Sequence, residues 1–206
     1  MRNRAAVFDL DDTLLLSEEA HRIAWEMACR DLGIPIEVDF SSLIGKTTEQ
    51  VAEILGTSKK DELLRLKQHY YMRIAPGMVS PSPCVRELIS QLEAKGYKIA
   101  VVTSSSRSTA EFSLSIIGLR PHVLVTGDSV LRPKPDPYPV EVALRQLDAE
   151  AGLSIGVGDS KPDLKAFTGA GIKRVFILRG KVDEVEVKKL GGFPVDSLCE
   201  VIQRLS

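Results

Sequence analysis

Residues 4–13 read RAAVFDLDDT, an apolar run that ends abruptly in three carboxylates. A continuous apolar run, without polar alternation, is typical of a strand buried on both faces of a parallel sheet. Ligands of such sheets bind beyond the carboxyl ends of the strands. The segment therefore predicts a buried first strand, Ala5 to Phe8, whose end delivers acidic side chains to a binding site.

The same pattern recurs four times further along the chain. Amphipathic helical stretches at 84–95, 108–117 and 137–148 separate the apolar runs. This alternation predicts an α/β fold with a doubly wound, Rossmann-like parallel sheet covered by helices on both faces. The further predicted strands are Lys98 to Val102, Val123 to Thr126, Leu153 to Val157 and Arg174 to Leu178.

The interval between the first two predicted strands is too long for a simple connection. A crossover needs roughly a dozen residues, whereas residues 17–78 contain helical periodicity and no convincing strand. We therefore expect an α/β core domain of residues 1–16 and 79–206 and an inserted helical cap domain of residues 17–78. Cap helices are predicted at Ser17 to Leu32, Thr48 to Leu55 and Lys59 to Ile74, with hinges near Leu14 to Ser17 and Pro76 to Ser80.

Composition limits the partners and the compartment. The 206 residues include 27 basic and 28 acidic ones, so no strong field attracts nucleic acid or a membrane surface. The first apolar run ends at Asp9, too early for a signal peptide, and no apolar run is long enough to span a membrane. Cys29, Cys84 and Cys199 are odd in number and widely spaced, which predicts free thiols in a reducing compartment. We expect a soluble cytoplasmic protein, a monomer or weak homodimer, that acts on a small molecule.

Polar side chains also follow the later predicted strands. Thr103 and Ser104 end the second strand, Lys134 lies in the loop after the third, and Asp159 and Asp163 follow the fourth. Carboxylates gathered from two strand ends repel one another unless a cation lies between them, and hard oxygen ligands suit Mg²⁺. Hydroxyl and ammonium groups supply what a bound phosphate needs. The pattern predicts a combined magnesium and phosphate site.

Each motif also has a purely structural explanation. Asp136 before a proline is typical of a helix start, which would leave Lys134 in an exposed loop. Ser160 and Asp163 resemble a capping box, and a carboxylate pair after a strand can be turn chemistry. The occurrence of all these motifs at successive strand ends favours a shared site over separate structural roles.

The motif residues together resemble the haloacid dehalogenase superfamily. Residues 7–14, VFDLDDTL, resemble its first motif, Thr103 its second, Lys134 its third, and Asp159 with Asp163 its fourth. The resemblance spans residues 4 to about 178, and the helical insertion is similar to the C1 cap of that superfamily. It implies a Mg²⁺-dependent phosphatase, similar to phosphoglycolate phosphatases and β-phosphoglucomutases, with a small phosphorylated metabolite as substrate.

The resemblance also implies residue roles in the reaction. Asp9 would attack phosphorus and form an aspartyl phosphate. Asp11 would protonate the leaving alkoxide and then activate the hydrolytic water. Mg²⁺ would be held by the Asp9 carboxylate, the Asp11 backbone carbonyl and Asp159. Asp12 stands where the motif commonly has glycine, and we expect its side chain to face solvent.

The remaining candidates would bind phosphate or face it from the cap. Thr103 and Lys134 would bind the phosphoryl oxygens, and Asp163 would orient Lys134 or a metal-bound water. His21, in the first cap helix, either faces the substrate or packs at the hinge. Lys46 either contacts a second anionic group or lies in solvent while a neighbouring threonine caps the next helix.

Two other functions share parts of this pattern. A sugar phosphomutase has a similar core and cap, although Thr13, and Thr48 where that group has arginine, argue against it. A phospho-acceptor switch also uses an aspartate, Mg²⁺ and lysine, but such domains are shorter and carry the acceptor on an internal strand. The substrate stays open among phosphoglycolate, sugar phosphates and nucleotides.

Overall fold

The computed structural model describes residues 3–43 and 45–205. Its strands are β1 (Arg4–Phe8), β2 (Leu15–Leu16), β3 (Ser80–Pro81), β4 (Tyr97–Val102), β5 (Val123–Val125), β6 (Ile155–Gly158), β7 (Arg174–Leu178) and β8 (Gly192–Val195). Its α-helices are α1 (Glu18–Leu32), α2 (Thr48–Ile54), α3 (Lys60–Met78), α4 (Val85–Ala94), α5 (Arg107–Ile117), α6 (Tyr138–Gln146), α7 (Lys161–Gly169), α8 (Glu184–Lys189) and α9 (Leu198–Gln203).

Six strands form one parallel sheet in the order β5-β4-β1-β6-β7-β8. β1 lies inside the sheet, where Val7 is in register with Ala100 of β4 and Gly156 of β6. The five strands predicted from apolar runs are confirmed, with ends that differ by at most two residues. β8 was not predicted, because its Gly-Phe-Pro-Val sequence is short and contains proline, which is tolerated at a sheet edge.

Both faces of the sheet are covered by helices. Alternate residues of β1 point to opposite faces, so Phe8 packs with α4, α5 and α9, whereas Val7 packs with α6, α7 and α8. Both side chains are fully buried, and each such burial contributes about 1.5–3 kcal/mol. The predicted doubly wound α/β fold is confirmed.

The inserted helices α1, α2 and α3 pack around an apolar cluster of their own. Its fully or almost fully buried members include Trp25, Val51 and Leu63. α1 ends at Gly33, whose φ of 66° is the left-handed conformation that glycine adopts without strain. α3 continues through Pro76, beyond its predicted end. The short antiparallel pair of β2 and β3 joins the two ends of the insertion and was not predicted.

The cysteine prediction was wrong for two of the three residues. Cys84, immediately before α4, forms a disulfide with Cys199 of α9, and Cys29 is a buried free thiol. Widely spaced cysteines gave no indication of this pairing, because only packing of α4 against α9 brings them together. The inference of a reducing compartment loses its basis. Across residues 3–43 and 45–205, no helix has the length and apolar character needed to cross a membrane.

Candidate active site

Three predicted site residues meet at the carboxyl edge of neighbouring strands. Asp9 follows β1, Thr103 follows β4 and Asp159 follows β6, and all three are buried. They line a cavity of about 510 Å³ that lies between the sheet edge and the inserted helices. The order of β4, β1 and β6 in the sheet is what brings side chains about 150 residues apart to one place.

Lys134 is a buried cation at the floor of this cavity. Its ammonium lies 2.6 Å from Asp9 Oδ1, 2.6 Å from Asp163 Oδ1 and 2.9 Å from the carbonyl oxygen of Val102. Burial alone would lower its pKa, but the two carboxylates outweigh this and raise it. The alternative in which Lys134 lies in an exposed loop was therefore wrong. Asp136 does cap the following helix, because its side chain accepts a hydrogen bond from the Tyr138 amide.

The acidic side chains around Lys134 form a compact cluster. Carboxylate oxygens of Asp9, Asp159 and Asp163 lie within 4.8 Å of one another. Burial, and then the charge of Asp163, raises the pKa of Asp9, and the same causes raise the pKa of Asp159 to about 7. Among the described residues, Asp159 Oδ2 is buried without a hydrogen-bond partner. These crowded hard oxygens fit a divalent cation such as Mg²⁺.

Asp163 serves the site and its own helix. Its Oδ2 accepts from the Ser160 amide at 3.1 Å, while the Asp163 amide donates to Ser160 Oγ at 3.4 Å, so the predicted capping box at the start of α7 is confirmed. Its Oδ1 binds Lys134. A Cβ at Gly158 would lie 2.6 Å from the Asp163 Cβ, so glycine is what allows this close approach.

Asp11 is held by residues of the cap hinge as well as the core. Its Oδ1 accepts from Ser17 Oγ at 2.7 Å and lies 2.9 Å from His21 Nε2, and its Oδ2 accepts from Ser105 Oγ at 2.7 Å. Burial would raise the Asp11 pKa, but His21 and the two hydroxyls lower it below its usual range. Asp11 is therefore an ionised carboxylate that can accept a proton.

Lys67 of α3 is a buried residue of this network that sequence reasoning missed. Its ammonium lies 3.0 Å from His21 Nδ1, and the His21 ring stacks on Tyr71 with centroids 4.3 Å apart. Because an ammonium can only donate, His21 Nδ1 accepts and Nε2 carries the hydrogen that points to Asp11. Burial lowers the Lys67 pKa to about 8. A signal existed: Leu63, Lys67 and Tyr71 are spaced by four on the buried stripe of one helix.

Asp12 does not face solvent, so that prediction was wrong. Its φ is +59°, and its Oδ1 accepts from the Ser17 and Glu18 amides at 2.9 and 3.1 Å, which caps α1. Its Oδ2 accepts from Lys181 at 2.7 Å. Lys181 also lies 2.8 Å from Asp159 Oδ2, as an ion pair outside hydrogen-bonding geometry. Lys181 follows β7, the one predicted strand after which no site residue was predicted.

The loop after β4 contacts the loop that precedes α2. Ser104 Oγ donates to the Gly45 carbonyl oxygen at 2.9 Å, and Thr103 Oγ1 accepts from the Ser105 amide at 3.0 Å. Thr47 caps α2 in a capping box, as the structural alternative predicted. Lys46 is exposed but also lines the cavity, so a contact with substrate stays a prediction.

Comparison with known proteins identifies the family. The family model described as haloacid dehalogenase-like hydrolase matches residues 6–177. The chain belongs to this family. The chain is an enzyme, and the phosphatase names of its relatives are consistent with a phosphoric monoester hydrolase. The alternative of a non-enzymatic phospho-acceptor switch is therefore set aside.

Two relatives and one solved structure illustrate the likeness. Pyrophosphatase PpaX of Bacillus velezensis is 30% identical over 177 residues, which covers 84% of this chain and 82% of the relative. Phosphoglycolate phosphatase of Aquifex aeolicus is 28% identical over 184 residues, covering 87% and 86%. The structure of CbbY from Rhodobacter sphaeroides in complex with phosphate is 27% identical, with a TM-score of 0.84 over 98% of this chain and 96% of that one. The two relatives are named for hydrolysis, which favours a phosphatase over a phosphomutase.

Proposed function

We propose that the protein is a Mg²⁺-dependent phosphatase that hydrolyses a small phosphorylated metabolite through an aspartyl phosphate on Asp9. The observation that carries this proposal is the position of the Asp9 carboxylate, which is buried at the cavity floor beside the Lys134 ammonium. The Lys134 ammonium opposes the burial and the neighbouring carboxylates that raise the Asp9 pKa, and it can attract the phosphoryl oxygens to the same point. A negatively charged, buried oxygen facing a cavity is suited to in-line attack on phosphorus.

The acidic cluster would hold the metal ion. In this proposal the Asp9 and Asp159 carboxylates and the Asp11 backbone carbonyl are its ligands, and Asp163 orients Lys134. Bound Mg²⁺ would offset negative charge on the phosphoryl oxygens. The close approach of the Asp9, Asp159 and Asp163 carboxylates supports this assignment.

Asp11 and the residues that hold it would move the protons. The ionised Asp11 carboxylate accepts a proton from the water that hydrolyses the aspartyl phosphate. His21 Nε2–H, 2.9 Å away, fixes the orientation of that carboxylate, and Ser105 fixes its other oxygen. The proton taken from this water is the one that Asp11 donates to the leaving alkoxide of the next turnover, after which the carboxylate is ionised again. Thr103 Oγ1, which accepts from the Ser105 amide, would donate its hydrogen to a phosphoryl oxygen, and Ser104 would do so by exchanging its bond to the Gly45 carbonyl oxygen for one to the phosphate.

We further propose that residues 17–78 act as a cap domain over a core of residues 1–16 and 79–206. The separate apolar cluster of the insertion and its two-strand connection at Leu15–Leu16 and Ser80–Pro81 support this division. Contacts such as that of His21 with Asp11 would form when the cap closes over the core. Closure excludes water from the reacting groups.

The test is Mg²⁺-dependent phosphate release from a panel of phosphorylated metabolites, with Asp9→Asn as the decisive variant. Asparagine keeps the shape of the side chain but cannot form the acyl phosphate, so turnover should fall by more than about 1,000-fold. Asp196→Asn, at an exposed aspartate away from the cavity, is the matched control and should keep full activity. Equal rates for Asp9→Asn and the native protein would refute the assigned nucleophile. Conversion of a hexose 1-phosphate to its 6-phosphate without free phosphate would favour the phosphomutase instead.

A further inference from the structure

The cavity is larger than a phosphoryl group requires. Its volume of about 510 Å³ falls in the range of roughly 300–1,000 Å³ that is usual for sites of drug-sized organic ligands. The phosphoryl end is confined to the sheet edge, where Asp9, Thr103 and Lys134 lie. The remaining space extends towards the inserted helices, so the chemistry of that wall should select the leaving group.

The wall on the side of the insertion is rich in hydrocarbon. α1, α2 and the segment between them contribute its apolar side chains, which are Trp25, Ile36, Val38, Phe40, Leu43 and Val51. Leu43 and Val51 are packed in place, with exposures of 8% and 5%. Ile36 keeps 39% of its surface exposed. An apolar surface that is left open at a cavity is typical of a binding site.

Two charged groups on the same wall, Arg22 and Lys67, have partners within the protein, whereas Lys46 also lines the cavity and is exposed. The Arg22 guanidinium pairs with Glu19 at 2.6 Å and also contacts the Glu26 carboxylate. Lys67 donates to His21 and lies 5.5 Å from the centre of the Trp25 ring. These side chains have partners already, so they do not require a charged group on the ligand.

We propose that the substrate is a phosphate monoester of an alcohol with a substantial apolar part, such as a hydrocarbon ring or branched chain, that fills this wall. The inference rests on the proposed phosphatase function and assigns the leaving group for it. Pyrophosphate contains no carbon and phosphoglycolate has a single methylene beside its carboxylate, so the compounds after which the two relatives are named could not fill this part of the cavity. Burial of the apolar part would supply binding energy remote from the reacting phosphorus.

The test compares cyclohexylmethyl phosphate with glycerol 3-phosphate. Both are esters of primary alcohols, so the bond that breaks is similar and the difference lies in the group that meets the wall. We expect kcat/KM to be about 10- to 100-fold higher for the cyclohexylmethyl ester. Ile36→Asn and Phe40→Asn should bring the ratio of the two kcat/KM values close to one, whereas the control should keep it. Leu153→Asn replaces a 53% exposed leucine outside the cavity lining and is the matched control.

Binding gives a second measurement that does not depend on turnover. Trp25 is the only tryptophan of the chain and lines the cavity, so its fluorescence reports ligands at this wall. Cyclohexylmethylphosphonate should bind at least about tenfold more tightly than methylphosphonate, and Ile36→Asn should abolish the difference.

Equal or weaker binding of the apolar phosphonate would overturn the inference. Faster turnover of glycerol 3-phosphate than of the cyclohexylmethyl ester would also overturn it, although the proposed phosphatase function would then stand. Absence of phosphate release from every ester would count against the phosphatase function, while the fluorescence titration would still decide the nature of the wall.

Discussion

Lys67, which is buried in α3, gives a prediction whose size follows from the structure. Lys67 is 2% exposed, and burial lowers its pKa from the usual 10.5 to about 8. The folded protein therefore disfavours the ammonium form relative to the unfolded chain. Replacing Lys67 by methionine, which has a similar length, removes the charge and the ionisation.

The difference in pKa sets the magnitude and its pH window. At about 1.36 kcal/mol per pKa unit, a fall from 10.5 to about 8 corresponds to about 3 kcal/mol. Between these pH values the unfolded chain keeps the lysine proton while the folded protein releases it. The unfolded state then binds more protons, so stability rises with pH in this window. Below pH 8 the unfavourable contribution is complete, and above pH 10.5 it is absent.

The assay is urea denaturation of the native protein and of Lys67→Met at intervals from pH 7 to 11. The free energy of unfolding of the native protein, minus that of the variant, should rise by about 3 kcal/mol across the window. Taking the difference cancels groups that titrate in both proteins. Lys60→Met, at a lysine of the same helix that is exposed enough to pair with Glu53 at the surface, is the control and should give a flat difference. A flat difference for Lys67→Met would refute the reasoning.

Three further predictions concern structural features near the site. Gly158→Ala should lower the free energy of unfolding by about 2 kcal/mol in urea denaturation, since the new Cβ would overlap Asp163; unchanged stability would contradict this close packing. Reduction of the Cys84–Cys199 disulfide, which joins residues 115 apart, should cost about 5 kcal/mol in the chain-entropy account. The same denaturation of a Cys84→Ser, Cys199→Ser protein should not respond to reductant, and a response there would count against this disulfide as the source. Asp12→Ala should lower the free energy of unfolding by about 2 kcal/mol, and Asp12→Gly by about half as much. Both variants lose the contact that caps α1, but glycine adopts the left-handed conformation without strain. A higher melting temperature for Asp12→Ala than for Asp12→Gly would contradict this.

Local pattern was sufficient for the central strands and failed at the sheet edge. The runs around Val7 and Ile99 are apolar without alternation because these strands are covered on both faces. β8 has only four residues, and Pro194 interrupts its pattern. α3 was predicted to end at Ile74 because of Pro76, yet a proline one turn from a helix end removes few backbone hydrogen bonds.

The sequence likewise predicted some of the candidate site residues and missed others. Asp9, Thr103, Lys134 and Asp159 were found because each lies at or just after a strand end, and strand ends of a parallel sheet share one edge. The spacing of Leu63, Lys67 and Tyr71 indicates that Lys67 is buried, and Lys181 follows a strand, but only packing shows that the two lysines lie beside His21 and Asp159. The sign of the pKa shift at Lys134 likewise depends on which carboxylates lie within hydrogen-bonding distance.

The amino-acid sequence by itself determined the parallel α/β core, the family resemblance and the acidic and phosphate-binding motifs, because these are written in runs of a few neighbouring residues. Tertiary structure alone decided the Cys84–Cys199 disulfide, the role of Asp12 as a helix cap and the network of His21 with Lys67. It also decided the apolar wall of the cavity. Such contacts join residues far apart in the chain, and their existence depends on how complete elements pack, which no local spacing records.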